Sequence, residues 1–191
     1  MIRTRVGYAG GTTNNPTYQN IGDHSEAVQI DYDPGKISYE ELLKVFWDSH
    51  SSTIQPWSRQ YRSIVFYHNG EQRRLAVATR QHKEAETGRT VLTEITPFSE
   101  FYPAEDYHQK YYLQQVRALM SGLRVIYPDF NDFVDSTVVA RINGFLGGHG
   151  PLESLEKQLS SFGLSPAASS RLLEIARKRL PAAGCDIRPL Q

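Results

Sequence analysis

The sequence predicts an α/β or α+β sandwich followed by a helical tail, and three observations carry that reading. Strand-like segments recur at 3–8, 27–32, 62–67 and 91–95. Segments of helical periodicity lie between and after them, and beyond residue 150 apolar residues recur at helical spacing without a strand signal. With 191 residues, 39% apolar and 11% aromatic, the chain can bury one principal core and carry a small appended unit.

In chain order, RTRVGY at 3–8 and AVQIDY at 27–32 alternate or cluster β-favouring residues, and RSIVFY at 62–67 reads as a more buried strand. After the Asp33-Pro34-Gly35 turn, Ser38 as N-cap and Glu41 three residues on have the form of a capping box. Leu42, Leu43, Val45, Phe46 and Trp47 then supply an apolar helical face. Residues 71–86 predict a second, more polar helix that stops near Gly88, with VLTEI at 91–95 as the next strand. Residues 104–120 are helical in composition, and their aromatic density implies a surface to pack on. GFLGGHG at 144–150 lacks the Lys-Ser/Thr ending of a phosphate loop and reads as a flexible glycine-rich segment. Leu152, Leu155, Leu159 and Phe162 form one apolar stripe, Gly163 ends it, and Ser165-Pro166 starts another helix, so 151–180 is a helical hairpin. The expected division is therefore 1–150 and a helical extension, 151–191.

Twenty-one basic and twenty-one acidic residues leave no net charge, which removes the long-range attraction that a nucleic-acid or membrane-surface protein uses. The single cysteine, Cys185, excludes an intrachain disulfide and fits a reducing compartment, so the expected location is cytoplasmic. No apolar run approaches a membrane span, and MIRTRV contains no signal-peptide core.

Three residues attract a chemical reading. Glu26 precedes an apolar strand, where partial desolvation would raise its pKa and let it hold a proton near neutrality. Tyr18 in NPTY and Tyr61 in RQYRS stand in turn or strand-entry contexts that could aim two phenols into a shared cleft. On spacing alone a structural reading of all three stands beside the chemical one. His24, His50 and His108 lack the spacing of a metal pair, so neither metal nor cofactor is expected; His50, at the end of the Ser38 helix, suits a contact with the helix C-terminus.

VGYAGG, NPTY, HSEAV, YDP, ISYEELLKVFW, QYRS and FYPAEDYHQKY, in this order, resemble the A-class peptide methionine sulfoxide reductases over about residues 3–115, and NGFLGGHG resembles the glycine-rich tail of that family. The resemblance implies an α+β sandwich on a ferredoxin-like core and reduction of methionine S-sulfoxide, free or in peptides. It also implies that a thiol attacks the sulfoxide sulfur, that Glu26 donates the proton, that Tyr18 and Tyr61 bind the oxygen, and that thioredoxin is the reductant. The family's Gly-Cys-Phe-Trp-Gly nucleophile segment has no counterpart in this sequence, and the loop before QYRS has no Asp. The core is accordingly expected to lack its first strand and helix, so that 27–32 and 62–67 either pair directly or leave a groove. Cys185 is the one candidate for a recycling thiol, with an ordinary free cysteine as the other reading. The alternative is a catalytically inactive homologue that binds oxidised methionine or serves as an interaction module.

Overall fold

The computed structural model describes residues 2–180 and is of mixed α+β type. Its elements are β1 (Arg3–Ala9), β2 (Ser25–Asp31), α1 (Tyr39–Asp48), β3 (Ile64–Tyr67), α2 (Gly70–Thr87), β4 (Glu94–Pro97) and β5 (Phe101–Pro103). There follow α3 (Tyr111–Gln114), α4 (Arg117–Ile126), α5 (Phe130–Asp135), α6 (Thr137–Leu146), α7 (Leu152–Gln158) and α8 (Pro166–Arg179). Two compact units result: residues 6–105, and residues 2–5 with 106–180. This packing boundary falls between Glu105 and Asp106.

In the 6–105 unit, β1 lies between β2 and β5, pairing antiparallel with β5 at Tyr8–Tyr102, while β3 and β4 form a separate parallel pair in which Val65 opposes Ile95. α1 begins as its sequence dictates: the Glu41 N–H donates to Ser38 Oγ at 3.1 Å and the Ser38 N–H donates to Glu41 Oε2 at 2.7 Å, which closes the capping box. The Ser38 N–H and the Ser38 hydroxyl, both donating to Glu41 Oε2, hold the Glu41 carboxyl below its ordinary range. α1 and α2 bury Leu43, Trp47 and Ala76 with Val65 and Val91 in a small core. α2 ends where Gly88 takes a left-handed conformation, φ 65°, and its N–H donates to Glu84 O at 2.9 Å.

β2 and β3 are both edge strands, and they do not pair with each other. Val28 and Ile30 of β2 instead border, with Ile64 and Phe66 of β3 and Leu42 and Phe46 of α1, a groove of about 490 Å³. Of the two outcomes expected for these strands, the groove is the one observed. The strand expected at 91–95 is shifted: Val91 is buried against α1 and α2, its N–H donating to Glu84 Oε1 at 3.1 Å, and pairing starts only at Glu94.

The helical unit corrects two expectations. Residues 104–120 are not one helix: Lys110, at φ 51°, leaves the helical region just before α3, its buried ammonium donating to Thr4 O and, at 3.2 Å, to Thr4 Oγ1, and Val116, at φ −110° and ψ 85°, separates α3 from α4. GFLGGHG is not a loop throughout either, because its residues 144–146 form the end of α6. Phe145 and Leu146 are buried at the end of α6, and the Gly148 and His149 N–H groups donate to Phe145 O and Gly144 O. A continuous core runs through Leu119, Leu123, Phe133, Ile142, Leu155 and Leu172, with α7 and α8 separated by Gly163 as their sequence predicts. No helix among the described residues is long and apolar enough to cross a membrane.

Candidate functional site

The loop from β1 to β2 is folded around Asp23 and His24. Asp23 accepts hydrogen bonds from the Thr12 and Thr13 N–H groups at 2.8 and 3.1 Å and from both hydroxyls, and these, the Thr12 backbone bond foremost, hold its carboxyl far below the usual range. His24 is buried. Its Nδ1 accepts from the Gly11 N–H at 3.2 Å, so Nε2 carries the proton and donates to Thr13 O at 2.7 Å. Only glycine fits at position 11, because a Cβ there would stand 2.6 Å from the His24 ring.

Within that loop the turn 17–20 presents Tyr18. The Thr17 and Asn20 backbones bond each other in both directions, and the Tyr18 N–H donates to Glu105 Oε1 at 2.9 Å. The other Glu105 oxygen accepts from the hydroxyl of Tyr8, a buried residue of β1, at 2.7 Å. One carboxylate thus ties the Tyr18 turn to the sheet.

Glu26 and Tyr61 are held by a second set of bonds. Ser25 Oγ donates to Arg59 O at 2.9 Å, and Arg62 reaches Ser25 Oγ through Nε at 3.2 Å and Glu94 through Nη1 at 3.3 Å. These contacts fasten the start of β2 to the helical turn Arg59–Tyr61. Gln60 Nε2 donates to Glu26 Oε1 at 2.6 Å. The Tyr61 phenol is raised above its ordinary pKa by desolvation, by the negative charge of Glu26, and by the neighbouring Tyr18 side chain. The structure therefore brings Tyr18, Glu26 and Tyr61 together on one surface of this unit.

One expectation about them needs correction. Glu26 is solvent-exposed rather than partly desolvated, because along β2 the inward position falls to Ser25 and the next residue points out. Tyr18 and Tyr61 are 43% and 40% exposed, so the cluster is an open patch and not a closed cavity. His50 donates through Nδ1 to Phe46 O at 2.8 Å, and burial lowers its pKa, so its contact with the end of α1 is a neutral hydrogen bond rather than a charge–dipole contact. Cys185 lies outside the described residues. Among the described residues no three His, Cys, Asp or Glu side chains come together as a metal site would require.

Sequence reasoning did not single out Gln60, Arg62 or Glu105, which hold the cluster, nor Trp57, whose ring lies 4.7 Å from that of Tyr61. The partners of the first three are 34, 37 and 87 residues away, a separation that no local pattern reports. Chemically, two phenols and a carboxyl at one place can bind and protonate a polar substrate oxygen.

The sequence matches a family model described as peptide methionine sulfoxide reductase over residues 1–142. It is 42% identical over 168 residues to the peptide methionine sulfoxide reductase of Drosophila melanogaster, covering 87% of this chain and 67% of the fly protein. It is 36% identical over 187 residues to peptide methionine sulfoxide reductase A5 of Oryza sativa subsp. japonica, covering 95% and 69%, a match that must include residues beyond 142. The crystal structure of Mxr1 from Saccharomyces cerevisiae in reduced form superposes with a TM-score of 0.52 at 29% identity, over 59% of this chain and 70% of the yeast chain.

Proposed function

Because this chain belongs to the peptide methionine sulfoxide reductase family, we propose that Tyr18, Glu26 and Tyr61 are its sulfoxide-oxygen site and that Glu26 is the proton donor. The observation that carries this is the grouping of the Tyr18 and Tyr61 phenols with the Glu26 carboxyl, close enough that Glu26 and Tyr18 both raise the Tyr61 phenol, with Gln60 holding Glu26 in place. A sulfoxide oxygen carries much negative charge. Phenolic donors bind it, and a proton delivered to it makes the sulfur more electrophilic toward a thiolate. The reaction takes two electrons from two thiols: the S–O bond breaks, methionine is released, the oxygen leaves as water with two protons, and the thiols end as a disulfide. None of the described residues supplies the attacking thiolate. Cys185, the single cysteine, fits the recycling step.

The finer fold that goes with this reading is a ferredoxin-like core without its first strand and helix, supported by the two strand edges, β2 and β3, that border one groove. Residues 1–150 are then the reductase domain and 151–191 its helical extension. Thioredoxin is the proposed reductant, the S epimer of methionine sulfoxide the substrate, and the cytoplasm the site of action.

Binding separates this assignment from the chemistry of the thiol. Calorimetric titration with N-acetyl-methionine-S-sulfoxide amide is expected to show binding that the Tyr18→Phe/Tyr61→Phe double variant weakens about tenfold or more, since each lost hydrogen bond is worth ~0.5–1.5 kcal/mol. Undiminished affinity in the double variant would remove the two phenols from the site.

A further inference from the structure

Between α1 and the turn Arg59–Tyr61 the chain runs HSSTIQPW, and its ends are fixed while its middle is displayed. Ser52 is buried, and its carbonyl accepts from the Leu92 N–H at 2.9 Å. At the other end Ser58 caps the turn, its Oγ accepting from the Gln60 N–H and its carbonyl from the Tyr61 N–H. Between these anchors Ile54 is 66% exposed and Trp57 is 84% exposed. A tryptophan that open forgoes the burial that large aromatic residues ordinarily obtain, and Pro56 before it limits the backbone's freedom to fold the ring inward. Nor does Trp57 hang free, since its ring is tilted against that of Tyr61 at a centroid distance of 4.7 Å.

We propose that Trp57, with Ile54, is a peptide-binding platform that receives an apolar side chain next to the oxidised methionine. The proposal rests on the assignment of Tyr61 to the oxygen site, because the platform is continuous with that ring. A sulfoxide held by Tyr18 and Tyr61 places the neighbouring residues of its polypeptide over the adjoining surface. The first thing they meet on the Trp57 side is an exposed aromatic face with no charge of its own. Oxidation of methionine disrupts apolar cores, so the segments in which the product becomes reachable carry apolar residues for such a face to hold. The platform thereby favours oxidised methionine in apolar polypeptide over the free amino acid or a polar context.

The test compares two acetylated, amidated pentapeptides with methionine-S-sulfoxide at the centre, one flanked by leucine and one by serine, by calorimetry with the full chain. The leucine-flanked peptide is expected to bind about tenfold tighter, the scale of one favourable aromatic contact. Trp57→Ala should bring the ratio to near one, chiefly through the leucine-flanked peptide, and Trp57→Phe should restore part of it. Of the two tryptophans, Trp47 is buried, so the leucine-flanked peptide should also protect the accessible fluorescence from acrylamide quenching. A ratio near one in the unaltered chain, or a ratio that survives Trp57→Ala, overturns the platform while leaving the oxygen site standing. An equal loss of both peptides in Trp57→Ala would make Trp57 a support for Tyr61 and overturns it too. If neither peptide binds the unaltered chain, the oxygen-site assignment fails and the platform with it.

Discussion

The helical unit and the α+β unit are built to different standards of completion. In the helical unit Leu113, Leu119, Leu123, Phe133, Val139, Ile142, Leu146, Leu155 and Leu172 are all buried in one continuous core. In the 6–105 unit the core cluster comprises five buried residues, while Val28, Val45, Ile54 and Trp57 are exposed. The same unit buries Tyr39 OH, Trp47 Nε1, His50 Nε2, Arg80 Nε and Thr93 Oγ1 without a hydrogen-bond partner in the protein. Close packing excludes ligands, and an open groove with unspent polar atoms does not. The unit that carries the candidate site is the one whose packing is unfinished, which is what a surface that must bind something requires.

The largest expected effect probes that contrast directly. Leu123→Ala removes a side chain from the middle of the helical core and should cost about 4–5 kcal/mol in urea unfolding. Leu43→Ala in α1 should cost about 2–3 kcal/mol, because Leu43 lines the groove, where neighbours have room to relax. Equal losses at the two leucines would erase the distinction between the units.

A smaller effect concerns Lys110. Burial depresses its ammonium to about 8 from an ordinary 10.5. Between those two pH values the unfolded chain holds the proton more firmly than the folded one, so stability rises as pH increases from about 8 toward 10.5. The stability difference between pH 7.5 and pH 10.5 should be larger in the unaltered protein than in Lys110→Met by of the order of 1–2 kcal/mol. An identical pH profile in the two proteins would show that the ammonium is well solvated or fully compensated by Thr4.

The smallest effect sharpens the picture of the α+β unit. Thr93 is 2% exposed and its hydroxyl has no partner, so Thr93→Val should be neutral or stabilise by up to ~1 kcal/mol in a thermal melt. A loss greater than that would mean the hydroxyl is satisfied, and the unit better finished than it looks.

Much of the architecture was written in local patterns. Ser38 and Glu41 announced α1, Gly88 announced the end of α2, and Gly163 with Ser165-Pro166 announced the break between α7 and α8, because caps and left-handed glycines act over three or four residues. Where a distant contact decides the conformation, local pattern failed. The helix expected over 104–120 is broken at Lys110, whose ammonium bonds Thr4, 106 residues earlier in the chain, and the strand expected from Val91 gives up Val91 itself to the core with α1 and α2.

The site divides along the same line. The sequence by itself determined its chemical types, two phenols and an acid in Tyr18, Tyr61 and Glu26, and the family to which the chain belongs. Only the tertiary structure decided that Glu26 faces solvent, that Gln60 holds its carboxyl, that Glu105 ties the Tyr18 turn to Tyr8, and that Trp57 stands exposed against Tyr61. The physical reason is range. Propensity, capping and alternation are properties of neighbouring residues, whereas a hydrogen bond between residues 87 apart exists only after the backbone has been folded by everything between them.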